Sequence, residues 1–553
     1  MPSRAEMWRQ LSGSFDLLVV GGGINGAGIA RDAARRGLKV ALVEMRDLAW
    51  GTSSRSSKLV HGGLRYLELY EFGLVFEAVR ERRILQNIAP HLVRPLGFLF
   101  PIYTDSRHNL LTLRAGMILY DGLSLLSSPK THRVLSPKKV ADVAPGLRQE
   151  GLKGAPLYYD CATDDARLTL ESALDAAAHG AVVVTGAKVT GFVRADSGEV
   201  TGATVTDRHT GEQREIHAAA VINAAGPWAE KIAALSGTAS RAKLRPTKGV
   251  HITVSTERLP LEHAVVCFHP RDERVLFLIP WGDQAYIGTT DTDYQDDPAD
   301  VAADADDVAY LLEAANAYYP DCELGPEDVF STWAGLRPLV MPVSDSDEDV
   351  AESAISREHQ IITGADGVIT IAGGKLTTYR MMSAEVVDTA IRQLMPKNVR
   401  PQLVRCDTDK APLPGAVGPL PEAAALVASS GDRLSIESAA LLIQTYGSRA
   451  VDVARLIEQS PDLARPLVPG RPEIRAQVDW AVHEELACEV ADVLVRRTQV
   501  FFRALDQGLG AAEWVSERMK TLCGWTEERR QASLAAFQHE VALARQWREP
   551  SQR

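Results

Sequence analysis

"FDLLVVGGGINGAGIARDAARRGLKVALVE", Phe15–Glu44, decides the fold. "DLLVV" is a short apolar run that ends in Gly21, and Gly21, Gly23 and Gly26 fit G-x-G-x-x-G. A tight strand-to-helix turn needs a residue without a side chain. Gly23 lets backbone approach a pyrophosphate, and Gly26 lets helix and strand pack closely. The helix start supplies N–H groups to the phosphates. "GAGIARDAARRG" reads as that helix, ending at Gly37, and "KVALVE" as the next parallel strand. It ends in Glu44, 18 residues after Gly26, where a carboxylate can take ribose hydroxyls. Strand, turn, helix, strand and acid in order make a dinucleotide-binding unit. That unit alone does not separate NAD from FAD.

The chain that follows leans toward a flavin. "WGTSSRSSKLVHGGLRYLELYEF", Trp50–Phe72, is dense in hydroxyls and glycines where a nicotinamide protein would continue an ordinary β/α repeat. It reads as chain laid along an extended cofactor, or as a plain Ser/Gly loop. Arg65 and Tyr66, after Gly62–Gly63, are placed to reach a substrate.

At 553 residues, two or three domains are expected. The net charge of −12 weighs against a nucleic-acid partner. Six scattered cysteines without CxxC or Cys/His spacing fit a reducing compartment and no metal site. The N-terminus reads as no signal peptide, and no apolar run of spanning length occurs, which points to the cytoplasmic side.

Between His91 and Pro156 the βαβ rhythm stops. Leu110–Leu126 is apolar with few charges, a buried helix or an interfacial surface. A helix over Asp164–His179, capped by Asp164 or Asp165, then strands and "NAAGPW" (Asn223–Trp228) resume the nucleotide unit. A second interruption carries "RPTKGVHITV", in which His251 can take a proton from an alcohol. A core or surface histidine fits the sequence equally. The acidic run Asp291–Asp307 lacks the Gly and Glu of a calcium loop and reads as a solvated loop before a helix. "STWAGLRPLVMP" places Arg337 at the end of an apolar stretch. "GGKLTTYR", Gly373–Arg380, then follows the strand "VITIA" and precedes a helix. Lys375 and Arg380 can neutralise a phosphate, and Thr377 and Thr378 can donate. Thr408–Arg433 reads as a linker. The tail is helical, with "SIESAALLIQTYG" and "PEIRAQVDWAVHEELACEVADVLVRRT" as candidate helices.

Taken in order, "VVGGGINGAGIARDAARRGLKVALVE", "SSKLVHGGLRYLE", "DDARL", "INAAGPWA", "TKGVHI", "IPWGDQAYIGTTD", "GLRPL", "GGKLTTYR", "TYGSRA" and "WAVHEELACEVADVLVRRT" resemble the FAD-dependent, respiratory glycerol-3-phosphate dehydrogenases over about residues 16–500. The resemblance implies an α/β + α fold. A Rossmann-like FAD-binding domain of glutathione-reductase/D-amino-acid-oxidase type is interleaved with a sheet-based substrate domain, and a helical C-terminal domain follows. The expected division is 15–90, 157–243 and 331–400 for FAD, and 91–156 and 244–330 for the substrate-binding or covering domain. A linker over 401–430 and helices over 431–553 complete it. The implied reaction is oxidation of sn-glycerol 3-phosphate to dihydroxyacetone phosphate, by hydride transfer from C2 to flavin N5, with electrons passed to a quinone. The alternative in the same fold is a glycerophosphate oxidase that uses oxygen and yields hydrogen peroxide.

By motif, Arg65, Tyr66, His251, Arg337, Arg357 and Lys375 fall in the family's substrate pocket. His251 is expected as base or proton relay, Arg337 to steer the hydroxyl, and Lys375 to hold substrate or balance charge. The expected cofactor contacts are Gly21, Gly23, Gly26, Glu44, Thr52, Ser53, Ser57, His61, Gly62, Gly63, Ala225, Gly226, Trp228, Gly373, Gly374, Lys375, Leu376, Thr377 and Thr378. Tyr379 and Arg380 are expected to anchor the following helix. Peripheral attachment to the inner face of the cell membrane is implied, and the helical tail is compatible with a homodimer.

Overall fold

The structure is a computed structural model that describes residues 3–63, 71–107, 109–123, 130–237, 243–341, 359–394 and 404–549. Its first sheet has the strand order Gln360–Thr363, Ile369–Ala372, Gln213–Asn223, Ser14–Val20, Val40–Val43, Val182–Val184. The Ser14–Val20 strand runs parallel to Gln213–Asn223 on one side and to Val40–Val43 on the other. All four residues of Val40–Val43 are buried. Helices cover both faces of such a sheet, so its central strands are apolar without alternation.

The helix Ile24–Arg35 runs back along this sheet from Gly23 at its N-cap, and Gly37 (φ +92°) lets the chain turn out of it. A methyl on Gly28 would lie 2.4 Å from Ser383 Oγ, so glycine there lets the helix Tyr379–Leu394 cross closely. Asp164 caps the third covering helix, Asp165–Ala178, by accepting from Arg167 N at 3.0 Å.

The second sheet is larger, with eleven strands among the described residues. Its spine is the Leu244–Ser255 strand, paired antiparallel with Gln284–Gly288 on one edge and with Ser331–Val340 on the other. The register runs from Leu244 opposite Val340 to Thr253 opposite Ser331. Residues 331–340 therefore sit in the second sheet, not in the nucleotide unit where the sequence division places them. Leu152–Ala162 likewise belongs to this sheet along its whole length, past the expected boundary at 157. An apolar strand looks alike in either sheet, and only its partner decides.

The C-terminal unit is helical, but the long expected helix is broken. Ala476–Glu484 is α-helical, Leu486 turns the chain with φ +59°, and Asp492–Arg497 forms a turn of π-helix before Gln499, again at φ +59°. The stretch expected as a linker is docked instead. Leu413 N donates to Ile88 O (2.8 Å) and Gly415 N to Glu171 Oε2 (3.1 Å), and Thr408 and Leu413 are buried.

Candidate active site

Gly21 (φ +110°) ends the first strand, and a methyl there would lie 2.6 Å from Ala224 O. The glycine turn and the "NAAGPW" turn therefore meet backbone to backbone. Gly26 is tighter, since a methyl would lie 1.8 Å from Gly21 O. Ser53 Oγ accepts from Ile24 N at 2.9 Å, which lays the Thr52–Ser54 turn across the helix start. Glu44 is fixed at the strand end by Gly22 N to Oε2 (2.6 Å) and Arg46 N to Oε1 (2.8 Å). Withdrawal from solvent raises its pKa, and these two N–H groups oppose that. Trp228 stacks on Trp50 at 5.2 Å, and Gly226 (φ +54°) turns the chain between Ala225 and that ring.

The remaining glycine turns come together at one place. His61 N donates to Thr377 Oγ1 (3.2 Å), and Thr377 Oγ1 donates to His61 O (3.3 Å). Gly62 N donates to Asp160 Oδ1 at 3.1 Å, and Gly63 N to His61 Nδ1 at 3.1 Å. Asp160 is held in turn by the buried Arg82 and by Tyr120 OH. Gly373 (φ +74°) and Gly374 (φ +89°) lead to Lys375, the N-cap of the Leu376–Thr378 turn. The carbonyl of Lys375 accepts from Thr378 N at 3.2 Å. Tyr379 and Arg380 face away from this turn. Arg380 is buried against Glu81 (2.7 Å) and Tyr379 OH lies 3.2 Å from Ser172 Oγ.

The second sheet contributes His251 and Arg337. His251 is buried, stacked on Trp333 at 4.8 Å and 10°, with Nε2 2.9 Å from Ser57 Oγ. A methyl on Gly288 would lie 2.1 Å from the ring, so the imidazole fills the space that glycine leaves. Burial, and then the Arg337 and Lys58 cations, press its pKa well below 6.5, so the ring is neutral at neutral pH. Ser57 itself is fixed, because Tyr286 OH donates to its carbonyl at 2.9 Å and Trp333 Nε1 to that of Ser56 at 3.1 Å. Buried Lys58 pairs with Asp165 at 2.7 Å behind them.

Arg337 crosses the Leu244–Ser255 strand. Its Nη1 donates to Asp291 Oδ1 (2.8 Å), and its Nη2 to Thr289 Oγ1 and Thr290 O (both 3.2 Å). It can do so because Gly249 has no side chain: a methyl would lie 2.6 Å from Nη2. Leu336 O accepts from Thr52 Oγ1 at 2.7 Å, which ties this strand to the cofactor-side turn. Arg65, Tyr66 and Arg357 lie outside the described residues.

Sequence reasoning passed over Asp291, Gly249, Lys58 and Trp333. The acidic run is the instructive case. Asp291 orients Arg337, while Asp304 and Asp307 clasp Lys248 at 2.7 and 2.6 Å, and Asp307 is buried. The run is in part a set of ion-pair partners, and the available signal was the cations of "TKG" and "GLRPL" on neighbouring strands.

Glycine turns that a methyl would fill, a half-buried helix start beside Ser53, and a fixed carboxylate at the second strand end suit a dinucleotide of the FAD type. With the second sheet closing over the turns, the fold and site define an FAD-dependent oxidoreductase. Residues 16–380 match the FAD dependent oxidoreductase family, and residues 406–530 match the C-terminal domain of alpha-glycerophosphate oxidase. Glycerol-3-phosphate dehydrogenase 2 of Mycobacterium tuberculosis is 40% identical over 530 residues, 95% of this chain and 87% of its own. The aerobic glycerol-3-phosphate dehydrogenase of Staphylococcus haemolyticus is 37% identical over 521 residues, 93% and 92% of the two chains. The Bacillus halodurans glycerol-3-phosphate dehydrogenase, solved with FAD, superposes over 99% of both chains with a TM-score of 0.80 at 32% identity. The chain belongs to the FAD-dependent glycerol-3-phosphate dehydrogenase/oxidase family. It binds FAD, and the reaction of this family is FAD-dependent oxidation of glycerol 3-phosphate.

Proposed function

We propose that this chain oxidises sn-glycerol 3-phosphate at C2 to dihydroxyacetone phosphate and passes the electrons to a quinone. The observation that carries this reading is a fixed guanidinium beside a neutral imidazole: Arg337, held by Asp291 at 2.8 Å, and His251, kept uncharged by burial and nearby cations. Bound FAD supplies the two-electron acceptor.

The chain supplies binding and proton handling. Arg337 offers a planar set of donors to substrate oxygens, with Arg65, Tyr66, Arg357 and Lys375 completing the pocket. A base must be unprotonated and within hydrogen-bond reach of the hydroxyl. His251 meets the first condition, and its Nε2, 2.9 Å from Ser57 Oγ, is the nitrogen through which a proton would reach it. Ser57 is then the relay, and the depressed pKa of His251 favours passing the proton on. The glycine turns, Glu44, Thr52, Ser53, Ser57, His61 and the Gly373–Thr378 segment are assigned to FAD.

A quinone acceptor calls for contact with a membrane surface. No helix among the described residues is long and apolar enough to cross a membrane. Phe72 and Phe76 on the Phe72–Ile88 helix are exposed, as are Leu111, Ile118 and Leu119 on the neighbouring Leu110–Leu123 helix. This face, with Arg80, Arg83 and Arg114 beside it, suits peripheral attachment to an anionic lipid surface.

Anaerobic mixing with glycerol 3-phosphate should bleach the flavin's visible absorbance, while D-amino acids and 2-hydroxy acids should not. Unchanged absorbance with glycerol 3-phosphate would end the substrate assignment. The match of residues 406–530 to an oxidase domain supports oxygen as the second reading. Full-rate turnover in air without quinone would select it.

A further inference from the structure

The helical C-terminal unit grips the cofactor-binding turns from behind. The loop after the second strand closes onto Gly22 at both ends: Gly22 N donates to Glu44 Oε2 at 2.6 Å, and Ala49 N donates to Gly22 O at 3.0 Å. Leu48 packs on the same glycine, where a methyl would lie 2.8 Å from its side chain. At the apex of this loop, Asp47 is only 1% exposed. Arg497 takes it with both ends of its guanidinium, each at 2.8 Å, and Arg496 Nε adds a third bond at 2.5 Å. Both arginines are buried in the π-helical turn, and Arg497 also donates to Glu485 O at 2.9 Å. A second hold lies nearby, where Glu540 on the Glu527–Arg545 helix is 3.6 Å from Arg55, just past the Thr52–Ser54 turn.

We infer that the C-terminal unit is a cofactor-retention clamp: through Arg496 and Arg497 on Asp47, and Glu540 on Arg55, it holds the Glu44–Trp50 loop and the Thr52–Ser54 turn in the form that binds FAD. The three side chains are positioning residues, acting through Glu44, Gly22 and Ser53. Binding linkage is reciprocal, so FAD must in turn tighten the docking of the clamp.

The test uses the full chain stripped of FAD and titrated with it, read by quenching of flavin fluorescence. Asp47→Asn and Arg497→Gln should raise the FAD dissociation constant by about fivefold or more, and Glu540→Gln by a smaller factor. Arg518→Gln is the control, because its partner Asp479 lies within the helical unit, away from the loop. It should lower the melting temperature of the apoprotein without changing FAD affinity. In the wild type, FAD should slow amide exchange over residues 485–498, and Asp47→Asn should abolish that response. Wild-type affinity in the Asp47 and Arg497 variants, affinity that merely follows melting temperature in all variants including Arg518→Gln, or exchange over 485–498 indifferent to FAD would each overturn the inference. Where a buried variant does not fold, Glu540→Gln and the wild-type exchange decide it.

Discussion

Gly249→Ala should separate function from stability more sharply than any charge removal at the site. Gly249 does not have a left-handed φ, so an alanine is tolerated by the backbone. What the new methyl meets is Arg337 Nη2 at 2.6 Å, the mobile end of a side chain, and Thr289 Oγ1 at 2.7 Å, on a stiff β-branched residue. The strain is relieved by swinging the guanidinium aside and turning Thr289 about χ1, so stability should fall by the about 1–3 kcal/mol of ordinary overpacking. That swing breaks the bonds to Asp291, Thr289 and Thr290 and takes the guanidinium out of the pocket. Losing a positioned charged contact costs about 2–5 kcal/mol, or about 30- to 5,000-fold in kcat/KM. The assay is steady-state oxidation of glycerol 3-phosphate with a soluble quinone, beside flavin content and a melting curve. Arg337→Met should show a loss of similar size, and the double variant should be no worse than Arg337→Met, because both changes remove one interaction. Wild-type kcat/KM in Gly249→Ala, or losses that add in the double variant, would refute the reasoning.

Gly26→Ala places a methyl 1.8 Å from Gly21 O, a backbone atom that cannot swing aside, so the protein should purify without bound flavin; a yellow, stoichiometric holoprotein would contradict this. Arg380→Met leaves Glu81 buried and unpaired, and should cost about 3–5 kcal/mol in denaturant titration, whereas a loss below about 1 kcal/mol would show that the pair does not anchor the last covering helix. With His251 as the proposed base, the kcat/KM profile should stay flat as pH falls through 6.5 and drop only below it, because its pKa is depressed by burial, Arg337 and Lys58. The same shift makes unfolding easier with acid: below 6.5 the unfolded chain protonates this histidine while the folded chain does not, so stability falls with pH until the folded value is reached. An acid limb centred at 6.5 would remove His251 from the proton path.

Local chemistry was legible, and partners were not. The glycine turn, the Asp164 cap and the helices at 379–394 and 436–446 follow from spacing within a few residues, where steric rules act directly. The broken helix defeats periodicity because Asp492, Arg496 and Arg497 read as a polar face yet are buried in ion pairs, alongside the buried Val490, Val493, Leu494 and Val495. Composition misled at Thr408–Arg433 for a related reason. Its prolines leave only short helical pieces, Pro414–Ala416 and Ala423–Ser429, but do not prevent docking, and Glu171, 244 residues earlier, supplies the acceptor that holds Gly415.

The charged groups make the point most fully. Asp291, Asp304 and Asp307 sit in one acidic run, yet one aims an arginine and two hold a lysine, on adjacent strands of one sheet. Asp47 meets its arginines across 449 and 450 positions. A carboxylate near a cation-bearing strand or a docked helix is worth something different from one in water, since withdrawing it from solvent makes its partner obligatory. The glycine turns are legible in the sequence because glycine answers to backbone alone. The residues that orient Arg337 and hold the Glu44–Trp50 loop are ordinary aspartates, and their pairings exist only once the second sheet and the helical unit have folded against the first.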